Sequence, residues 1–283
     1  FITFNINNSR GYLIRNEMMM LDFLGTNRFE RAVSIMNPGY IRDVFPVIDN
    51  YTIDDGMLSL LVPYRVNGNR YVYTPRTKDY FLNGMRQEDG SYQPLEWGNL
   101  NKDIYVDPVS KNMGDVQRQS FVMLSQQLLQ EGDTASAIKS LQLREEFFPT
   151  KTFPNDRFAL MMVYAYSHVG DQVKAYEILC DVFDYYYQQM VYAKQFPASK
   201  ARDVERMLVD AYYFLYQVVS LRQHAILTRN PFNGMPEMAL TAAGEEAFKA
   251  ADSKNADRLK VMDEFISSTT YQNEVQAYVS RMN

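Results

Sequence analysis

Imidazoles and thiols are nearly absent from this chain, with two histidines and one cysteine in 283 residues, and each scarcity closes a route. A lone cysteine cannot close an internal disulfide. Cys180 lies among apolar residues of a helical pattern, where it reads as a small buried hydrophobe rather than a reactive thiol. His168 and His224 are the only side chains able to serve as an imidazole base at neutral pH. His168 stands in the last turn before Gly170, where a ring N–H or a cation meets free carbonyls, so it reads as a helix-end residue, and His224 reads the same way on a later helix. There is no Gly-x-Ser-x-Gly elbow, no Cys/His nucleophile arrangement, no Cys/His metal spacing, no P-loop and no dinucleotide-binding glycine loop. No catalytic residue, no cofactor and no metal site are therefore expected in this chain.

Basic runs are missing too. A net charge of -5 and a pI near 5.2 offer no field for a phosphate backbone, which argues against nucleic acid and equally against an anionic membrane surface. No run approaches the roughly 20 apolar residues of a spanning helix, and no signal peptide precedes the first strand-like residues, so the chain as given is expected to be soluble. It opens in mid-pattern, Phe1-Ile2-Thr3-Phe4-Asn5-Ile6 alternating as a strand does with no initiator Met, and the expectation is a piece of a longer protein.

What is present is helical periodicity, clearest from Arg118 to Met190. Phe121, Leu124 and Leu128 recur at helical spacing up to Gly132, Asp133 offers a capping oxygen, and Ala137, Ile138 and Leu141 follow until Pro149 closes the unit. Ala159, Met162 and Tyr166 repeat the layout up to Gly170, followed by an Asp171 cap and then Ala175, Tyr176 and Leu179. Gly132 to Gly170 and Ala137 to Ala175 share one offset, 38 residues. That spacing is close to a tetratricopeptide repeat, whose small residues let paired helices approach, so Gly132 and Ala137 are expected at the closest contact of the first hairpin. A long periodic stretch from Ser199 to Thr228, a break at Asn230 to Pro236, and helices near Thr241 to Ala251 and Asn255 to Arg281 complete the chain.

The amino-terminal part reads differently. After the first strand, Tyr12 to Leu24 suggests a helix ended by Gly25, Ala32 to Ile35 a strand broken by Pro38 and Gly39, Tyr40 to Val47 a helical turn, Asn50 to Gly56 a loop, and Met57 to Val62 a buried strand. Strand, helix, strand, helix, strand is an α/β layer. Asn67 to Asn112 is rich in Gly, Pro, Asn and Asp, and Tyr71-Val72-Tyr73 within it is either a further strand or aromatics pinning a loop. A connection so long predicts short helices or packing of Tyr80, Phe81 and Trp97. The expected fold is thus α+β and predominantly α, with a small α/β domain over residues 1–66, a loop-rich connection over 67–112 and a tetratricopeptide-like all-helical domain over 113–283.

Three stretches carry a resemblance: Tyr12 to Asn27, continued by Glu30-Arg31-Ala32-Val33; Trp97-Gly98-Asn99-Leu100 with Ile104 to Asp107; and the repeat-like pair with Gly132, Ala137 and Pro149. In these the chain resembles the soluble carboxy-terminal region of the protein O-mannosyltransferase-like multi-pass membrane proteins of Bacteroidetes. It departs from that pattern at Gly25, Phe29 and Ala32, where the family has Ala, Trp and Pro. The resemblance implies a periplasmic location at the inner membrane, attachment to the membrane only through an amino-terminal part not contained in this sequence, and similarity to GT-C glycosyltransferases. Their catalytic acid belongs to that amino-terminal half, so no catalytic position carries over. The implied role is a non-catalytic accessory domain that meets a polypeptide or glycan through its helical-repeat surface. A free-standing cell-envelope protein binding glycan or peptide is the alternative.

In a tetratricopeptide hairpin the first helix lines the concave side, which here would align Gln119, Gln126 and Gln130 with Arg157, Tyr164 and His168 as groove residues for a polar ligand. The run Phe183-Asp184-Tyr185-Tyr186-Tyr187, with Tyr192 beyond it, points adjacent rings in different directions. Helix packing is the plainer reading of that run, and sugar stacking the functional one. Asp54-Asp55-Gly56 reads as a turn rather than a metal-nucleotide acid pair.

Overall fold

The computed structural model describes residues 11–35, 45–66, 71–95, 105–197, 200–223 and 249–280. The expected strand at Phe1 to Ile6, the break at Pro38 and Gly39, Trp97 to Ile104, His224 and the break at Asn230 to Pro236 lie outside the described residues. The chain is α+β, predominantly helical, and divides into two compact units, Phe1–Trp97 and Gly98–Asn283.

In the first unit α1 spans Arg15–Asn27. Glu17, buried in the first turn, accepts from the Ile14 N–H at 2.8 Å and so satisfies one of the free donors of that helix end. Gly25 does not end the helix, contrary to the sequence reading. A single interior glycine weakens a helix by about 1 kcal/mol without stopping it. Termination comes at Arg28 and Phe29, which take the left-handed conformation (φ 47° and 62°). Four strands form one sheet: β1 (Val33–Ile35), β2 (Thr52–Asp55), β3 (Leu58–Leu61) and β4 (Tyr71–Val72), in the order β1-β3-β2-β4. β3 is antiparallel to β1 and β2, pairing Val33 with Leu61 and Thr52 with Leu61, and only β2–β4 is parallel. The expected α/β layer gives way to this mostly antiparallel sheet because the tight turn at Gly56 (φ 66°) joins β2 to β3 as a hairpin, which only antiparallel strands can use.

Residues 52–55, read as loop, are a strand whose Asp54 is buried and accepts from the Ser59 hydroxyl at 2.7 Å. The stretch 67–112 carries, besides β4, helix α2 (Thr74–Asn83) and the hairpin β5 (Met85–Arg86) with β6 (Tyr92–Gln93). Gly84, at φ 105°, closes α2 where a Cβ would sit 2.0 Å from the Gln93 carbonyl oxygen, so glycine is required there twice over.

The second unit is helical. Asp107 caps α3 (Pro108–Gln130), accepting from the Val109 and Ser110 N–H groups, and α4 (Thr134–Phe147) returns against it. A short 3-10 turn, Arg157–Ala159, leads into α5 (Leu160–His168), paired with α6 (Gln172–Lys194). The two hairpin turns are built alike. Asp133 N–H donates to the Leu128 carbonyl (2.8 Å) and Gly132 N–H to Leu129 (3.1 Å); Asp171 N–H donates to Tyr166 (2.9 Å) and Gly170 N–H to Ser167 (3.1 Å). Both glycines are left-handed (φ 82° and 88°), and both aspartates then cap the next helix through Ser136 and Lys174 N–H. Gly132 is there for that conformation and not for close approach, since nothing lies within 4 Å of a Cβ built on it. Ala137 is fully buried. The glycine that admits a neighbour is Gly114 in α3, where a Cβ would fall 2.5 Å from the Phe153 ring.

α7 (Ala201–Gln223) packs along α6, and α8 (Ala256–Ile266), a π-turn (Tyr271–Val275) and α9 (Gln276–Ser280) follow. The helix expected to run unbroken from Asn255 to Arg281 is interrupted at Ser267 and Ser268. The Ser268 hydroxyl donates to the Phe265 carbonyl (2.6 Å) and accepts from the Tyr271 N–H (3.2 Å), replacing ladder bonds with side-chain ones. The core joins Phe121 of α3 to Phe148 and Phe153, which follow α4, while Phe183, Tyr187, Phe265 and Tyr271 link α6 to the last helices.

Candidate functional site

Two arginines, Arg118 on α3 and Arg144 on α4, are each 1% exposed. A buried guanidinium keeps its charge and must find partners, and the two do so very differently. Arg118 Nη2 lies 2.8 Å from Asp156 Oδ1 and 2.9 Å from Asp115 Oδ1, the latter an ion pair without hydrogen-bond alignment. Its Nη1 donates to the Pro154 carbonyl at 2.9 Å, and the guanidinium stands over Phe158 (5.4 Å) and Phe153 (5.8 Å). Burial raises the pKa of the Asp115 carboxyl, with the Arg118 charge pulling the other way. Arg144 has less: both Nη atoms lie 3.4 Å from Asn155 Oδ1, its Nε, like that of Arg118, has no partner among the described residues, and burial, helped by the like charge of Arg118, lowers its pKa to about 10.

From Asn155 the polar chain continues outward. Asn155 Nδ2 donates to Asp181 Oδ2 at 2.8 Å, Arg258 Nη2 donates to Asp181 Oδ1 at 2.7 Å, and Arg258 Nε and Nη2 donate to Asp184 Oδ2 at 3.0 and 2.6 Å. α4, the loop before α5, α6 and α8 are thereby tied into one network. At its outer end Asn155, Asp181, Asp184, Tyr185 and Arg258, with Thr150 and Pro154 beside them, line a cavity of about 220 Å³. A wider depression of about 750 Å³ lies between α7 and α8, but its Arg222 is taken by Asp252 (3.0 Å) and by the Tyr176 hydroxyl (3.2 Å).

The six residues aligned by repeat spacing do not form one open row. Gln130 and Arg157 are exposed, Gln119, Tyr164 and His168 are half-buried, and Gln126 is only 5% exposed, with its Nε2 unpartnered among the described residues. Gln126 therefore belongs to the interior. Arg157 lies over the Phe158 ring at 4.7 Å, and its N–H donates to the Tyr186 hydroxyl at 3.2 Å. Burial pushes the Tyr164 phenol up to about 12 and lowers the pKa of His168, leaving that ring neutral at pH 7. The carbonyls at the end of α5 are met by the N–H groups of Val169, Gly170 and Asp171.

Among the tyrosines, Tyr186 stacks on Phe214 (4.8 Å) and Tyr187 on Phe183 (5.4 Å), which is helix packing, while Tyr185 lines the cavity and Tyr192 is 52% exposed. Cys180 is buried, and burial raises its thiol to about 11. Asp55 pairs with Arg76 at 3.0 Å and Gly56 N–H donates to the Thr77 hydroxyl at 2.9 Å, so the Asp-Asp-Gly stretch serves the strand and its turn.

The network was beyond sequence reasoning because its partners are far apart in the chain: Asn155 and Asp181 by 26 residues, Arg258 and Asp181 by 77. The local signal was Asp181 and Asp184, two acids three residues apart within the otherwise apolar and aromatic stretch Ile178 to Tyr187 of α6. Chemically, the site presents fixed carboxylates, one guanidinium, an amide and hydroxyls around a small cavity, an arrangement suited to holding a polar ligand. Among the described residues no three His, Cys, Asp or Glu side chains gather to hold a metal ion. Compared with family models, curated proteins and solved structures, the chain matches none of them.

Proposed function

We propose that this chain is a non-catalytic interaction domain, tetratricopeptide-like in its central hairpins, that serves as the periplasmic accessory part of a membrane glycosyltransferase-like protein of the O-mannosyltransferase-like kind. The observation that carries the interaction role is the pair of helical hairpins whose turns repeat, bond for bond, at a spacing of 38 residues. Stacked hairpins of this sort expose extended surfaces suited to binding. The site is in keeping with that role, because arginines hold its acids in place. The glycosyltransferase link is carried by the likeness of Tyr12 to Asn27, the Trp97 segment and the repeat pair to that family.

The test is the reading frame upstream of Phe1 in the parent gene. Several apolar spans of about 20 residues support a membrane glycosyltransferase-like parent. A signal peptide alone would overturn that reading in favour of a free-standing envelope protein that binds glycan or peptide.

A further inference from the structure

We propose that the cavity at Asp181, Asp184, Tyr185 and Arg258 is a carbohydrate site, with the ligand running from it along α6 over Tyr192 and Phe196. This rests on the reading of the chain as a binding domain and not on the membrane parent. Tyr185, Gln189, Tyr192 and Phe196 recur at spacings of four, three and four residues, which places them along one side of α6 and just past its end. Seven residues of helix set Tyr185 and Tyr192 about 10 Å apart along the axis, room for more than one sugar ring. Tyr192 is 52% and Phe196 37% exposed, their rings in edge contact at 5.1 Å, so this end of the stripe is an aromatic platform open to solvent.

The other end supplies polar recognition. Asp184 receives two bonds from Arg258 on a single oxygen, and Asp181 is held on both oxygens by Arg258 and Asn155. The carboxylates are thus fixed in place while retaining lone pairs for hydroxyl donors. Charge selects the ligand class. Among the described residues that line the cavity, Asp181 and Asp184 are acids and Arg258 is the one cation, bonded to both, so the balance of one excess negative charge disfavours a phosphate. A neutral body with hydroxyls on its edges and apolar C–H faces matches fixed acceptors at one end and aromatic rings at the other. The cavity of about 220 Å³ is smaller than the roughly 300 Å³ at which pockets for drug-sized ligands begin, which suits a single ring with the remainder of the chain outside.

The experiment is calorimetric and NMR titration of the whole chain with neutral tri- to hexasaccharides of glucose, galactose, mannose and N-acetylglucosamine, alongside a proline-rich peptide and inorganic phosphate. At least one oligosaccharide is expected to bind, and Tyr192→Ala and Asp184→Asn, both at partly exposed positions, are each expected to weaken it about tenfold or more, a loss of about 1.4 kcal/mol, with the chain still folded at the titration temperature by circular dichroism. Three results would overturn the proposal: no binding by any of the oligosaccharides, binding that both variants leave intact, or preference for the peptide or phosphate. The upstream reading frame and this titration can fail independently of each other.

Discussion

Replacing each buried arginine by methionine should give unequal results although both are 1% exposed. Arg118 holds Asp156 at 2.8 Å and Asp115 at 2.9 Å and donates to the Pro154 carbonyl. Arg118→Met leaves two largely buried carboxylates without their cation, a change that costs about 3 to 5 kcal/mol when one partner of a buried pair is removed. Among the described residues Arg144 has Asn155 Oδ1, at 3.4 Å, as its hydrogen-bond partner, and the fall of its pKa to about 10 corresponds to about 3 kcal/mol spent on keeping the charge inside. Arg144→Met removes that penalty and strands the amide oxygen of Asn155, worth about 1 to 3 kcal/mol. The two effects nearly cancel, so Arg144→Met should fall within about 2 kcal/mol of the parent protein on either side. Urea unfolding at pH 7, with midpoints compared at unchanged slope, reads the difference directly. Equal destabilisation by the two substitutions would refute the assignment of partners.

Other consequences are as direct. Gly114→Ala should gain about 1 kcal/mol of helix propensity and lose about 1 to 3 kcal/mol to overpacking against Phe153. A variant more stable than the parent would contradict that contact, and Phe153→Leu in the same chain should reverse the loss. Cys180, buried with its thiol raised to about 11, should react with a disulfide reagent at pH 8 at least about a hundredfold more slowly in the folded chain than in denaturant, and equal rates would place it at the surface. His168 has its pKa lowered by burial, so the unfolded chain protonates first as pH falls below about 6.5. Its contribution to stability is present above that pH and is lost as pH falls through the folded value, so the stability difference between the parent and His168→Gln should shift in that window; a flat difference from pH 7 to 5 would show the ring to be solvated.

Local chemistry was legible in the sequence and long-range pairing was not. Gly132-Asp133 and Gly170-Asp171 announce two helix ends and two helix starts, because a left-handed glycine and a capping carboxylate act on their immediate neighbours. Cys180, Ala137 and the aromatic rows were legible as buried because period alone sets the inner face. Residues 52–55 hid as a loop because two aspartates mask a strand whose Asp54 is satisfied by Ser59 across the hairpin. Gly25 was read as a stop although an interior glycine only weakens a helix. Repeat alignment puts Gln126 in the groove, yet neither that alignment nor residue type reveals which polar positions neighbouring helices cover. The path from Arg144 through Asn155 and Asp181 to Arg258 exists only once four segments meet.

The proposed role, holding a ligand without carrying out chemistry, is tested most directly by a transfer assay. The purified chain is incubated with lipid-linked sugar donors and a range of acceptor peptides, and products are followed by mass spectrometry. The predicted result is no transfer above the protein-free blank, the acids of the site being held by Arg118 and Arg258. Turnover that a single substitution in this chain abolishes would contradict it.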